Sequence, residues 1–302
     1  MRVVKERTMA EIEILKKSEP RNVAFIGKPG LNKLELAKEL VAGWLDTQED
    51  ALDLHPDYLY IEPSDGSIRT EQVELIRRKA QICPHGEKAV CLVNGAEAMS
   101  TDLQNNLLKV LEDSDKELAV VFVSTKDLLE TVMSRCMAVR FWPMGLEEMH
   151  AYYQKPSVAA LLASDGCPGI YDAILSDGDF LVYLEGFYQA MCGFREREQL
   201  KHLLRLTHSL KEKDREYLPE KFNSWELTAF LNLLKHLYWQ IIMQQYDLSG
   251  YPWISVRKIK DCYRFDEAEA CYYACLEAAE QSKSYFSKND FFDLLMKLVP
   301  TA

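Results

Sequence analysis

The strongest constraint on the fold is an alternation. Five short β-rich runs, Val23–Ile26, Tyr58–Glu62, Ala89–Val93, Ala119–Val123 and Ala138–Phe141, are separated by stretches whose apolar residues recur at helical spacing. Leu34, Ala37, Leu40, Val41 and Trp44 follow the first run, Val73, Ile76 and Ala80 share a face within Arg69–Ile82, and Leu103, Leu107, Leu108 and Leu111 do so within Thr101–Leu111. Strands joined through helices return parallel to one another, and a parallel sheet is covered on both faces. The expectation is an α/β domain over residues 1–143, opened by a helix that reaches about Glu19 and is closed by Pro20.

From Leu146 the β signal vanishes. Residues 144–180 read as a small all-α unit punctuated by Pro156, Gly166, Pro168 and Gly169, and residues 181–302 as longer helices. Asn223 with Glu226 is a capping pair for a helix through Leu227, Phe230, Leu231, Leu234, Leu237, Trp239 and Ile242, and Ser287 with Asp290 for a last helix through Phe291, Leu294, Leu295 and Leu298. Helices this apolar must bury more than one side.

Composition narrows the function classes. A chain of 302 residues with 48% hydrophobic and 27% charged residues is ordinary for globular domains. A net charge of −11 argues against a protein that coats nucleic acid, since that affinity comes from clustered Lys and Arg on phosphates. The most basic stretches, Lys201–Lys213 and Arg257–Arg264, read as solvated helix faces, or else as part of a DNA-facing or subunit-facing surface. No run approaches the roughly 18 apolar residues of a membrane span, and the charged N-terminus is not signal-like, so a cytoplasmic protein is expected. The eight cysteines are scattered without a CxxC pair, and Cys271 and Cys275, at i and i+4, read as packed thiols.

The first run leads into Gly27-Lys28-Pro29-Gly30-Leu31-Asn32-Lys33-Leu34 and then a helix, the context in which a phosphate loop has meaning. A working loop reads G-x-x-x-x-G-K-[ST]: the second glycine lets backbone N–H groups close round phosphates, and the hydroxyl ligates magnesium. Gly27 and Lys33 are present, but Asn32 stands at the second glycine and Leu34 at the hydroxyl. An ATPase also needs an acidic pair past the third strand, for the metal shell and the attacking water. This chain has Asn94-Gly95-Ala96-Glu97, with Glu97 two to three positions late. Both halves read as degenerate, and neither ATP hydrolysis nor magnesium binding is expected. The plain alternative is that neither stretch was ever a nucleotide site.

The run Ala119–Phe141 reads as strand, polar tip at Ser124-Thr125, short helix, then Ser134-Arg135-Cys136 before the last strand. Sites in parallel sheets gather at strand carboxyl ends, whereas an arginine after the returning helix can point outward. The alternative is a surface or salt-bridged arginine near a strand end.

These residues carry a resemblance. His55-Pro56-Asp57-Tyr58, the helix over Ile68–Ile82, Ala96-x-x-Met99-Ser100, Asn105-x-Leu107-Leu108-Lys109-x-Leu111-Glu112 and Thr131-x-x-Ser134-Arg135-Cys136 are similar to delta-prime-type subunits of the bacterial DNA polymerase III clamp loader, in the AAA+ family. The good match covers about the first half of the chain. The resemblance implies a P-loop NTPase-like AAA+ sheet, an all-α lid and an all-α collar that joins five subunits in a ring. It implies that Arg135, in a turn with Ser134 and Cys136, is an arginine finger completing an adjacent subunit's ATP site. The partners implied are the clamp-loader motor subunits, the delta subunit, the sliding clamp and primed DNA, with no membrane, all within a DNA polymerase holoenzyme.

Departures from that pattern are informative. The cysteine-rich zinc knob expected after the first AAA+ helix is missing, since Leu45–Leu54 holds no cysteine, and zinc is not expected. The loop between Ser124-Thr125 and Ser134 is about two residues short of the family pattern. The lid stretch Gly166–Asp172 has no arginine where active motors sense nucleotide. The resulting expectation is a non-hydrolysing subunit that serves a neighbour. Its rivals are an ATP-hydrolysing motor subunit of the same ring, or a stand-alone scaffold or DNA-binding protein of this fold. His55 reads as an orienting residue ahead of its strand, not a catalytic one.

Overall fold

Every residue of the first strand is buried, which only a sheet covered on both faces provides. The computed structural model describes residues 5–112, 117–193, 224–248, 250–254, 256, 263–281 and 294. Asn223, most of the basic stretches Lys201–Lys213 and Arg257–Arg264, and the last-helix cap at Ser287 and Asp290 lie outside them.

The chain forms two compact units, Met1–Met144 with Cys167–Gly169, and Gly145–Gly166 with Ile170–Ala302. The first runs α1 (Glu6–Ser18), β1 (Asn22–Ile26), α2 (Lys33–Trp44), a 3-10 turn (Glu49–Leu54), β2 (Tyr58–Ile61), α3 (Thr70–Lys79), β3 (Ala89–Asn94), α4 (Thr101–Glu112), β4 (Leu118–Ser124), α5 (Glu130–Met133) and β5 (Met137–Arg140). All five strands are parallel in the order β2-β3-β4-β1-β5. β1 therefore lies between β4 and β5, with Phe25 level with Val123 on one side and Val139 on the other. The order reverses at β1, and the loops leaving β1, β3 and β4 meet at one edge, where sites of such sheets form. Ala24, Cys91, Val93, Phe122, Ile76 and Leu107 are in the core between sheet and helices.

The second unit is helical among its described residues: α6 (Leu146–Tyr152), α7 (Val158–Ser164), α8 (Pro168–Ser176, whose first two residues count with the first unit), α9 (Gly178–Gly193), α10 (Ser224–Gln245) and α11 (Phe265–Gln281). Helix α10 buries Phe230, Leu231, Leu233, Leu234, Leu237, Tyr238 and Ile241, more than one stripe, because it packs against both α7 and α11. Asp165 ends α7 in the left-handed conformation and receives Lys235 at 2.7 Å and His236 at 2.9 Å from α10. No described helix is long and apolar enough to cross a membrane.

Candidate functional site

The loop after β1 keeps the shape of a phosphate loop with altered chemistry. Gly27 is required by packing: a Cβ there would lie 2.5 Å from the Phe141 carbonyl oxygen. Gly30 (φ 74°) and Asn32 (φ 57°) are left-handed, and asparagine is among the few residues besides glycine that take this conformation readily. Asn32 thus starts α2, its carbonyl accepting from the Leu36 amide at 3.1 Å. The conformation expected of the missing glycine survives in its replacement.

The Lys33 ammonium is turned into its own loop, donating to the carbonyls of Gly27 (2.6 Å) and Lys28 (2.5 Å). Burial lowers its pKa to about 8, against the attraction of Glu97. Beside it is a pocket of about 310 Å³ lined by Asn32, Lys33, Leu34, Asn94, Glu97 and Thr125, among others. Leu34 offers no oxygen to a metal. The Asn94 amide donates to the Tyr60 hydroxyl at 3.2 Å.

Gly95 is left-handed (φ 66°) and a Cβ there would meet Pro63 at 2.8 Å. A 3-10 turn over Ala96–Ala98 follows, and it brings the late-placed Glu97 back to the pocket. Spacing alone misses this, because a positive-φ glycine alters the direction of the chain. Glu97 accepts from the Thr125 hydroxyl (2.7 Å) and amide (3.2 Å), and although burial opposes its charge, these bonds lower its pKa. The Ser124 hydroxyl donates to the Lys126 carbonyl at 2.5 Å. Among the described residues, no group of three or more His, Cys, Asp and Glu is placed to hold a metal ion.

The Ser134-Arg135-Cys136 turn lies at the other edge of the sheet. Helix α5 carries the chain back from the carboxyl end of β4, and Ser134 and Arg135 are exposed. Arg135 Nη1 donates to the Thr131 carbonyl (2.7 Å) and Ser134 Oγ (3.2 Å), and Nη2 pairs with the carboxylate of Glu112, the last residue of α4. The turn is thus both outward-facing and salt-bridged. Burial pushes the Cys136 thiol up to about 12, so this residue packs rather than reacts.

Sequence reasoning passes over Asn22. It is buried at the head of β1, and its amide nitrogen donates to the carbonyls of Leu111 (3.1 Å) and Arg135 (3.2 Å). The available signal was one amide heading an otherwise apolar strand. Through this contact Arg135 is held at the amino end of β1, while the phosphate loop leaves the carboxyl end. The four residue steps between are roughly 13 Å of strand.

Residues 9–145 match the family described as DNA polymerase III, delta subunit. A DNA polymerase III subunit delta' of Bacillus subtilis is 26% identical over 136 residues, 40% of this chain and 41% of that protein. Its counterpart in Pseudomonas aeruginosa is 36% identical over 92 residues, 29% of this chain and 28% of that protein. The matches thus span less than half the length of these relatives. A solved DNA polymerase III gamma subunit-related protein of Thermotoga maritima superposes over 95% of this chain and 98% of its own, with TM-score 0.51 at 17% identity. That likeness speaks for the fold alone. Residues 9–145 are thus similar to the DNA polymerase III delta-subunit family, and the two curated relatives that match this chain are delta' subunits.

Proposed function

We propose that the chain is a non-hydrolysing clamp-loader subunit that supplies Arg135 in trans to the ATP site of an adjacent motor subunit. With the motor and delta subunits it would help open the sliding clamp and seat it on primed DNA. The observation that carries the reading is that Asn22 fixes Arg135 at the amino end of β1, opposite the phosphate loop. From that edge an arginine side chain cannot reach its own pocket, so any phosphate it meets belongs to another chain.

The chemistry suits a guanidinium. It stays charged at all relevant pH and can bond two phosphate oxygens, offsetting charge that builds as the γ-phosphoryl leaves. Thr131, Ser134 and Glu112 engage three of the five N–H donors. The Nε–H and one Nη2–H have no partner among the described residues, which leaves an edge for a phosphate. The chain's own pocket does not fit magnesium and triphosphate: Leu34 replaces the metal-binding hydroxyl, Lys33 is held by loop carbonyls, and Glu97 is engaged by Thr125.

The test is Arg135→Ala in the reconstituted complex. Assembly, followed by size exclusion, should be unchanged, while DNA-stimulated ATP hydrolysis should fall by about 10³-fold, the scale of trans arginines in phosphoryl transfer. A wild-type rate in an intact complex would overturn the role.

A further inference from the structure

We infer that Asn22 is the positioning residue for Arg135, an inference that rests on the trans role proposed above. The first support is what its amide joins. Leu111, whose carbonyl takes one hydrogen bond, directly precedes Glu112, and the other bond goes to the carbonyl of Arg135 itself. One buried side chain therefore holds the backbone on both sides of the Arg135–Glu112 pair, although the two bonded carbonyls are far apart in sequence.

The second support is what the residue costs. Asn22 heads a strand whose other members are all apolar, and its Oδ1 is buried without a hydrogen bond among the described residues. An unpaired buried oxygen is unfavourable, and an alanine or valine would continue the strand without it. The amide's two N–H donors are the gain that offsets it. They tie the end of α4 and the arginine turn to the buried first strand of the sheet. A finger that must place a cation within hydrogen-bond distance of another subunit's phosphate needs such a fixed base, because small displacements of a catalytic group are costly.

The closing experiment is a double-mutant cycle in the reconstituted complex: wild type, Asn22→Ala, Arg135→Ala and both together. Asn22→Ala should lower kcat for DNA-stimulated ATP hydrolysis roughly 10- to 100-fold, with KM for ATP unchanged because the nucleotide is held by the neighbour. The double variant should be no slower than Arg135→Ala alone, which a residue acting only on general stability would not produce. If Asn22→Ala does not fold, Asn22→Ser, which keeps one donor, is read by the same cycle. A wild-type kcat for the Asn22 variant in an intact complex, or losses that multiply in the double variant, would overturn the inference. Arg135→Ala at the wild-type rate would instead sink the trans role, and this inference with it.

Discussion

Lys33 shows how a single side chain changes task when its surroundings change. The residue is 6% exposed, and its ammonium donates to two carbonyls of its own loop. Burial disfavours its charge, so its folded pKa of about 8 lies below the ordinary 10.5. Between these values the unfolded chain binds more protons than the native one, and stability rises with pH. This contribution is present above 10.5 and is lost as pH falls through about 8. The difference in unfolding free energy between wild type and Lys33→Met should therefore shift by roughly 3 kcal/mol in favour of wild type from pH 7.5 to pH 10.5. Urea denaturation of both proteins across that range checks it. A pH-independent difference would mean that the ammonium is solvated, as a lysine awaiting phosphate would be.

At the scale of elements, the turn ahead of β2 is held by a buried carboxylate. Asp57 accepts from the amides of His85 (2.9 Å) and Gly86 (2.8 Å), with Lys79 at 3.9 Å. The Asp57 amide in turn donates to His55 Nδ1 at 3.2 Å, which gives His55 an orienting part. Burial opposes the charge of Asp57, yet the two amides and Lys79 outweigh it and lower its pKa. Its stabilisation is thus present above the ordinary carboxylate pKa and fades as pH falls through the lowered value. Asp57→Ala should cost about 3 kcal/mol at neutral pH, since two amides lose a charged acceptor, and the loss should shrink in acid. Thermal unfolding at pH 7 and pH 3 checks both.

The same scale decides what was legible in the sequence. β1, β3 and β4 stood out because burial on both faces leaves an unbroken apolar run, and the structure extends each by one or two residues. The 3-10 turn over Glu49–Leu54 did not, because only Leu52 of its six residues is buried and no periodicity forms. Glu97 looked misplaced because Gly95 turns the chain, and Asn22 looked incidental because both its partners are distant in sequence. Gln104 is a further instance: its side chain donates to the Met99 carbonyl and accepts from the Leu129 amide, tying α4 to the start of α5. Spacing reveals faces of elements, whereas such tertiary bonds depend on which elements the fold brings together.

For the whole molecule, charge sets what the chain can do without partners. With Lys and Arg at 36 against Asp and Glu at 47, the net charge of −11 repels a phosphate backbone at long range. Nonspecific affinity for DNA scales with the phosphates neutralised by clustered cations. Several cations of the first unit are already paired, Lys16 with Glu39, Lys79 with Asp57, Arg135 with Glu112 and Arg140 with Asp127. A proposed place in a clamp loader therefore leaves the DNA grip to the assembled complex. The isolated chain should bind a fluorescent primed duplex with a dissociation constant weaker than about 100 µM at 0.15 M salt, measured by anisotropy. If the chain has that proposed place, the reconstituted complex should bind the same duplex far more tightly than the chain alone. Micromolar binding by the chain alone, weakening steeply as salt rises, would place a DNA-contacting surface on this subunit and favour the stand-alone DNA-binding alternative.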